Sequence, residues 1–426
     1  MPGACQESSV SMPKITKILL LAVSVVLVLA VFLGVNSSGV SAATETQEGA
    51  YRQINVYSEV LRHIQTDYVE EPNINAVTNG ALRGLLESLD ADSSYLTPED
   101  YKAFKADKGG KAQVGLNVSK RYGYATVVSV VPGSPADKAN LNDGDIIEAI
   151  GTQDTRDLSL AMIRMMLEGA PGTELSVAVV RPRKAAPEKV TMTRVMPALP
   201  PVTETMYENS SILYLKPGIL DHDHVQQVEA RLKAMQKAGN KKVLLDLRDV
   251  AAGDIPEAMR MANMFLKTGT IASLEGQKVQ KQTFAADPAK AINTTSPVVV
   301  LVNRGTAGPG EIVAAALMDN KRADLVGERT FGEGSQQKTF ELPDGAALIL
   351  SVAKYESPSG KKLEDEGVTP GVLVASNIDD GGGADDDTGD DVGPTKEHDQ
   401  NAPRKPGTTV DDQLTKALDL LKSKAA

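Results

Sequence analysis

Residues 296–326 read SPVVVLVNRGTAGPGEIVAAALMDNKRADLV and place a polar loop and a helical stretch between two apolar runs. The runs Ser296–Val302 and Asp324–Val326 are rich in β-branched and other apolar residues, which favours buried strands. Between them, Glu311–Met318 carries its apolar side chains at helical spacing. A strand, a helix and a second strand in this order predict a βαβ unit within a parallel sheet.

The flanking sequence continues this alternation over residues 200–375. Helices of 10–15 residues that separate short apolar strands are typical of βαβ cores. We therefore predict a multidomain α/β (α+β) chain whose largest part is a βαβ-type core. Its further predicted elements are strand Ser211–Leu215, helix Asp223–Lys237, strand Lys242–Leu247, helix Ile255–Leu266 and strand Ala347–Ala353.

A second module is indicated by residues 130–153, VVPGSPADKANLNDGDIIEAIGTQ. Pro132 and Gly133 favour a tight turn, Ser134 starts a short helix, and Gly144 turns the chain into a strand. This pattern resembles a PDZ domain, which we place at residues 108–196. The resemblance implies recognition of extended peptide C-termini by strand addition, with a loop of backbone N–H groups that captures the carboxylate.

The resemblance also assigns the peptide-binding residues. The expected carboxylate loop and strand contain Gly115, Leu116, Asn117 and Val118, and the expected opposite wall is a helix with Met162 and Met166. An alternative stays open for the methionines, because flexible thioether side chains also fill gaps in hydrophobic cores.

Residues 303–337 resemble the active-site segment of the carboxyl-terminal processing (tail-specific) serine peptidases. That family has a serine at the third place of a run S/T-A-S-A-S-E-I and a lysine 25 residues later in a G-K-G turn. Here Gly308 and Glu333 occupy those places, whereas the family's Asp and Gln are kept as Asp319 and Gln337. A serine hydroxyl needs a base to attack a carbonyl, and an ionised carboxylate cannot donate a hydrogen bond. The resemblance therefore implies a family member without the catalytic pair.

Two further features concern catalysis. Residues 243–266 resemble the family's LILDLRNNPGG strand and turn, and that turn supplies a backbone N–H to the oxyanion hole. The residues equivalent to this oxyanion loop are Ala252 and Gly253. Val250 and Ala252 carry a Cβ that disfavours positive φ, so we expect a distorted donor loop. Thr306 and Ser335 are candidates for a displaced nucleophile, although we favour turn roles for both.

The N-terminal region predicts membrane attachment. Ile18–Val35 is free of charged residues and follows Lys14 and Lys17, and its length is near the about 20 residues that span a bilayer. A small-residue site at residues 40–42 is compatible with cleavage instead. We favour a signal anchor over residues 1–43, which places the bulk of the chain on the periplasmic (extracytoplasmic) side of a bacterial inner membrane. Met12 is an alternative start that would remove the only cysteine, Cys5.

The remaining regions are predicted as a helical N-terminal region (44–107), a disordered acidic linker (376–408) and a C-terminal helix (409–426). The helical region has apolar faces that pack in a core or pair two copies of the chain, with Ile54, Val56, Val60, Leu61 and Ile64 on one and Leu82, Leu85, Leu86 and Leu89 on another. A net charge of −11 argues against nucleic acid as a partner. Residues 221–224, DHDH, are interpreted as a helix cap rather than a metal site, and no cofactor is expected.

Together these features predict an exported, membrane-anchored homologue of the carboxyl-terminal processing endopeptidases. We favour a non-hydrolytic pseudopeptidase that binds C-terminal or extended peptides of exported proteins in its PDZ groove. An active serine endopeptidase that processes the C-termini of exported proteins is the alternative. A regulatory partner of an active homologue, or a homo-oligomer, is a third possibility that the sequence leaves open.

Overall fold

The computed structural model describes residues 15, 22–25, 51–106, 111–121, 123–181, 186–197, 199, 201–238, 242–376 and 411–424. Its contacts divide the chain into two units, Met1–Thr78 and Asn79–Ala426. Helix α1 (residues 51–67) belongs to the first unit, and α2 (Ile74–Glu87) begins there. All further elements of the described residues belong to the second unit, which holds three sheets.

The apolar faces predicted for the N-terminal helices are buried only in part. Ile54, Val56 and Val60 on α1 are each more than half exposed. On α2 the side chain of Leu86 is buried, whereas Leu85 is exposed. The helical period is present in the sequence, but periodicity alone does not say whether a partner covers the face.

The predicted PDZ module forms a sheet in the order β2-β3-β4-β6-β7, with β5 paired to β4. Strand β2 lies at its edge and pairs with β3 alone among the described strands. Ser134 caps the first helix and Ser159 caps the second, as serines do when a helix begins after an extended residue. The elements are β2 (Leu116–Arg121), β3 (Tyr124–Val130), α4 (Pro135–Lys138), β4 (Ile146–Ile150), β5 (Gln153–Asp154), α5 (Leu160–Leu167), β6 (Glu174–Val180) and β7 (Glu188–Thr193).

The predicted βαβ core is a six-stranded sheet in the order β17-β14-β13-β10-β9-β8, parallel except where β8 pairs with β9. Helices α6, α7 and α8 supply buried residues to the hydrophobic cluster on one face of the sheet. The elements are β8 (Thr203–Tyr207), β9 (Ile212–Lys216), α6 (His222–Ala238), β10 (Lys242–Asp246), α7 (Ile255–Phe265), β13 (Val298–Val302), α8 (Pro309–Asp319), β14 (Asp324–Gly327) and β17 (Val372–Leu373). The α/β class is therefore confirmed. The predicted core strand Ala347–Ala353 requires a correction, because it pairs antiparallel with strands of a different sheet.

Helix α9 (Asp412–Ser423) covers the other face of this sheet, where Ala417 and Leu421 are buried against strand side chains such as Leu244. Its start is fixed by Asp411, which accepts from the Leu414 N–H and pairs with the Arg248 guanidinium at 2.8 Å. At the C-terminal end of α9, Nζ of Lys242 donates to the carbonyls of residues 421, 422 and 424. A cation at the C-terminal carbonyls satisfies acceptors that have no partner within the helix.

A third sheet links distant parts of the second unit in the order β1-β16-β11-β12, with β15 also paired to β16. Strand β15 follows the turn that contains Glu333, so the sheet holds one side of the candidate site. Its elements are β1 (Ser94–Leu96), β11 (Thr270–Glu275), β12 (Gln282–Ala285), β15 (Ser335–Glu341) and β16 (Ala347–Glu356), with α3 (Pro98–Ala106) packed beside β1.

The predicted membrane placement is wrong. No helix within the described residues is long and apolar enough to cross a membrane, whereas a span needs about 20 apolar residues in one helix. The structure therefore does not support a single-pass inner-membrane protein. Of the predicted span Ile18–Val35 only residues 22–25 are described, and residues 377–408 of the predicted acidic linker lie outside the described residues as well.

Candidate active site and peptide groove

A buried carboxylate organises the segment that resembles a peptidase active site. Glu311 lies in the first turn of α8 and is fully buried. Its Oε2 accepts from the N–H groups of Gly308 (3.0 Å) and Glu333 (2.8 Å), and its Oε1 accepts from the N–H of Gly332 (2.8 Å) and from the hydroxyl of Thr330. Burial raises the pKa of this carboxyl to about 8, against the lowering effect of these donors. One side chain thus ties the start of α8 to the turn at residues 330–334.

These hydrogen bonds bring together the two positions at which the sequence resemblance puts the family's serine and lysine. A Cβ placed on Gly308 would lie 3.7 Å from Oε2 of Glu333, so residues 308 and 333 face each other across the site. Gly308 has a φ of +47°, and α8 begins at the following Pro309, whose fixed φ suits the first helical position. Position 308 therefore offers only backbone to a bound peptide, and position 333 offers a carboxyl group.

Glu333 has a cationic partner from the PDZ module. Arg164 on α5 donates from Nη2 to Glu333 Oε1 at 3.2 Å and lies 3.9 Å from Asp92 Oδ1. Burial raises the pKa of the Glu333 carboxyl, Arg164 opposes this shift, and Asp92 adds to it. The same guanidinium donates to the carbonyl of Val118 on β2, at 3.3 Å from Nε and 3.2 Å from Nη2. Arg164 therefore connects the edge of the PDZ sheet to the position where the family has its base.

A cavity of about 250 Å³ joins these groups. Its lining includes the predicted peptide-binding residues Leu116, Asn117 and Val118, and the core contributes Ala251 and Glu333. An adjoining and more apolar cavity of about 370 Å³ shares Leu116 and Asn117 and reaches Ala252. A groove thus runs from the β2 edge to the candidate active site.

The wall opposite β2 differs from the one expected. Helix α5 presents Arg164 and Leu167 to the cavity, whereas Met162 and Met166 pack against the hydrophobic core of the PDZ module. Gly115 has a φ of +85°, and a Cβ there would meet the side chain of Ser134 at 2.3 Å. Only glycine fits this close approach, at the place where the resemblance puts the carboxylate loop.

The oxyanion-loop equivalent accommodates the Cβ atoms of Val250 and Ala252 without positive φ at either residue. Positive φ occurs at Asp249 (+65°) and Gly253 (+134°) and not at Val250 or Ala252. Asp249 tolerates this conformation because its N–H donates to Asn303 Oδ1 at 3.0 Å and its carboxylate accepts from the Asn303 amide at 2.7 Å. The turn is therefore fixed against the loop that precedes Gly308.

The hydroxyls considered as displaced nucleophiles have other partners. Thr306 is fully buried and donates to the Leu247 carbonyl at 2.8 Å. Ser335 donates to Asp92 Oδ2 at 2.8 Å. Thr306 lies in the loop that follows β13, as favoured, whereas Ser335 is the first residue of strand β15 and does not lie in a turn.

The retained family residues also have structural contacts. Gln337 donates to the Asp92 carbonyl at 3.1 Å, and Asp319 accepts from the Ser359 N–H at 2.9 Å. Asp92 and Arg164 were missed as site residues in the sequence. The run LESLDADSSYL, which contains Asp92, is similar to a family signature and could have pointed to it, whereas Arg164 lies in an otherwise apolar helix with no such motif.

Comparison with known proteins places this arrangement in a family. Residues 212–374 match the model of peptidase family S41, and residues 126–181 match that of the PDZ domain. A carboxyl-terminal-processing protease of Synechocystis sp. is 32% identical over 372 residues, which cover 83% of this chain and 86% of that protein. The chain belongs to peptidase family S41.

Other members of the family agree with this assignment. The chloroplastic carboxyl-terminal-processing peptidase 2 of Arabidopsis thaliana is 31% identical, over 73% of this chain and 63% of its own length. The solved structure of the photosystem II D1 C-terminal processing protease superposes with a TM-score of 0.63 at 25% identity, covering 75% of this chain and 92% of that chain. A PDZ domain and a family S41 core therefore make up most of this chain, as the sequence predicted.

The close approach at Gly253 yields a stability prediction. A Cβ there would lie 2.4 Å from the Leu220 carbonyl oxygen, and the φ of +134° is unfavourable for any L side chain. Gly253→Ala is expected to lower the free energy of unfolding by about 2 kcal/mol or more, measured by urea denaturation. Gly80→Ala is the matched control, because a Cβ meets nothing within 4 Å at this position of α2 and should stabilise the helix by up to about 1 kcal/mol. Equal effects of the two substitutions would contradict this geometry.

A second prediction concerns pH. Glu364 is buried, accepts from the Gly334 N–H at 2.7 Å, and has a pKa raised by burial to about 7 from an ordinary value of 4.5. Because the folded state holds the proton more tightly, the unfolding free energy should fall as pH rises from about 4.5 to 7. Glu364→Gln should remove that part of the decline, whereas the exposed control Glu366→Gln should keep it. Denaturation series at several pH values test this, and parallel curves for all three proteins would refute it.

Proposed function

We propose that this family S41 protein binds C-terminal or extended segments of polypeptides in its PDZ groove without hydrolysing them at residues 308 and 333. The observation that carries the proposal is the facing pair itself. Gly308 and Glu333 meet where the family resemblance puts a serine and a lysine, and neither can do the corresponding chemistry. Glycine has no nucleophilic atom, and a carboxylate in an ion pair with Arg164 cannot replace an amine that also donates hydrogen bonds.

The rate argument supports loss of hydrolysis. In the serine peptidase subtilisin, removal of the catalytic serine or histidine lowers kcat by on the order of a millionfold. Here both positions have changed, and the nearby hydroxyls of Thr306 and Ser335 donate to other groups. A displacement of about 1 Å from the productive geometry is sufficient to reduce the rate about a hundredfold.

Binding has independent support. Strand β2 lies at the edge of its sheet, so its outer side is available for an added peptide strand. The groove beside it contains Leu116 and Leu167 for apolar side chains, and Gly115 begins the loop that would hold a carboxylate. A peptide strand that pairs with the outer edge of β2 would compete with the Arg164 guanidinium for the Val118 carbonyl.

A second candidate function is endoproteolysis near polypeptide C-termini. It is favoured by the names of the relatives, which are carboxyl-terminal-processing proteases, and it requires a nucleophile other than residue 308. The similarity to these relatives supports endoproteolysis more directly than peptide binding without hydrolysis. The similarity extends over most of the chain, whereas the argument against hydrolysis depends on residues 308 and 333 alone.

A cleavage assay decides between the candidates. We expect the purified protein to leave unfolded casein intact for hours, because no hydroxyl and base meet at residues 308 and 333. The double substitution Gly308→Ser with Glu333→Lys should raise cleavage above this background. Cleavage by the unaltered protein that disappears in Thr306→Ala or Ser335→Ala would instead establish the second candidate.

Peptide binding is tested by changing the peptide and not the protein, so that the fold of the protein is unaffected. A labelled peptide with a free C-terminal carboxylate is expected to bind at least about tenfold more tightly than the same peptide amidated at its C-terminus, because the loop N–H groups bond best to a charged acceptor. Fluorescence anisotropy measures both affinities. Equal affinities would show that the terminus is not captured. Co-purification with an active homologue tests the separate possibility of a regulatory partnership.

A further inference from the structure

Three arginines line one cleft beside the candidate active site. The cleft has a volume of about 520 Å³, and its lining also contains Thr330, Phe331 and Asp365. Phe331 lies two residues before Glu333, and its N–H donates to the Thr306 carbonyl at 2.9 Å, so the cleft adjoins the turn held by Glu311. The arginines are Arg121, Arg304 and Arg329.

Two of the guanidinium groups are held by neutral acceptors. Arg121 lies over the Phe331 ring at 4.2 Å from the centroid and donates from Nη2 to the Phe331 carbonyl at 2.9 Å. Arg329 donates to the carbonyls of Asp365 (2.7 Å) and Glu366 (2.8 Å). A guanidinium has five N–H donors, so both groups keep donors for a further acceptor. Their positions are fixed while their charges are not balanced by these contacts.

The lining of the cleft contains three arginines and one carboxylate, that of Asp365. Arg304 pairs with Glu328 at 3.4 Å and remains about two-thirds exposed. The Asp365 carboxylate is 83% exposed and lies 3.9 Å from Lys354. Ion pairs with at least one exposed partner are weak and exchange readily with other partners. The cleft is therefore a positively charged region of a chain whose net charge is −11.

The cleft lies in the direction that a bound peptide would take. Arg121 is the last residue of β2, whereas the expected carboxylate loop at Gly115 precedes its first residue. A peptide whose terminus is held at that loop must run along β2 towards Arg121. The six residues of β2 span about 20 Å at about 3.3 Å per residue. Residues about six positions upstream of the peptide C-terminus therefore reach the cleft.

We infer that this arginine cleft binds aspartate or glutamate side chains located about six to eight residues upstream of the C-terminus of the polypeptide in the PDZ groove. Planar guanidinium groups match carboxylates by paired hydrogen bonds, which gives Arg an advantage over other cations at such sites. The inference rests on the proposed function and deepens it, because it names the class of segment that the groove selects.

Two peptides of the same length test the inference. Both carry one common C-terminal segment of six residues, and they differ only in having Asp or Asn at the three preceding positions, which lie six to eight residues upstream of the last residue. We expect the Asp peptide to bind about tenfold more tightly at about 0.15 M salt, which corresponds to about 1.4 kcal/mol. Fluorescence anisotropy with the full chain gives both dissociation constants.

Substitutions in the protein locate the effect. Arg304→Gln combined with Arg329→Gln should strongly reduce the preference for Asp, because only Arg121 of the three arginines remains, while leaving the affinity for the Asn peptide unchanged. Arg231→Gln is the matched control, because Arg231 is a similarly exposed arginine in an ion pair with Glu204 on another part of the core and should keep the preference. The series is repeated with the aspartates of residues 379–391 changed to Asn, so that an acidic stretch of the chain itself cannot mask the difference.

The outcomes separate the two proposals. Equal binding of the Asp and Asn peptides overturns the arginine cleft as an acidic subsite and leaves the peptide-binding function intact. A preference for Asp that is undiminished in the doubly substituted protein also overturns it, because the selectivity then arises elsewhere. Failure of both peptides to bind overturns the proposed function, and the inference falls with it.

Discussion

The hydrogen bonds of the Glu311 carboxylate are the constraint on which the candidate site depends. One buried side chain accepts from three backbone N–H groups and one hydroxyl that belong to two segments about twenty residues apart in the chain. Loss of such an acceptor would leave several buried donors without partners, each at a cost of about 1–3 kcal/mol. Glu311 thereby keeps residues 308 and 333 opposite each other, whatever side chains they carry.

The parallel sheet explains why these segments meet at all. Strands β9, β10, β13 and β14 are parallel neighbours, so the loops that follow them leave the same edge of the sheet. Ligands of open α/β sheets bind outside the carboxyl ends of the strands for this reason. The turn at Asp249, the loop before Gly308 and the turn at Glu333 all follow such strand ends. Arg164 then links this edge to the PDZ sheet through the Val118 carbonyl.

Membership in peptidase family S41 and the chemistry of the site are separate properties of this protein. The fold and the PDZ module are shared with carboxyl-terminal-processing proteases over most of the chain. Under the proposed function, hydrolysis is lost at residues 308 and 333 because they lack a hydroxyl and an amine, groups that packing of the core does not require. A scaffold of this kind can therefore persist while the reactive groups change, because stability and catalysis place their demands on different residues.

The sequence by itself determined the elements and their order. Helical spacing in Glu311–Met318 and the β-branched run before it predicted the βαβ unit, and the turn at Pro132 and Gly133 predicted the PDZ module, because these patterns are local. It did not show that Arg164 would bind Glu333 or that positive φ would fall on Asp249, and it left open whether Met162 and Met166 line the groove or pack against the core. It also predicted a membrane span that no helix of the described residues supports. Only the tertiary structure decided these points, because burial and charge pairing depend on which distant segments meet, and a linear pattern carries no distances between them.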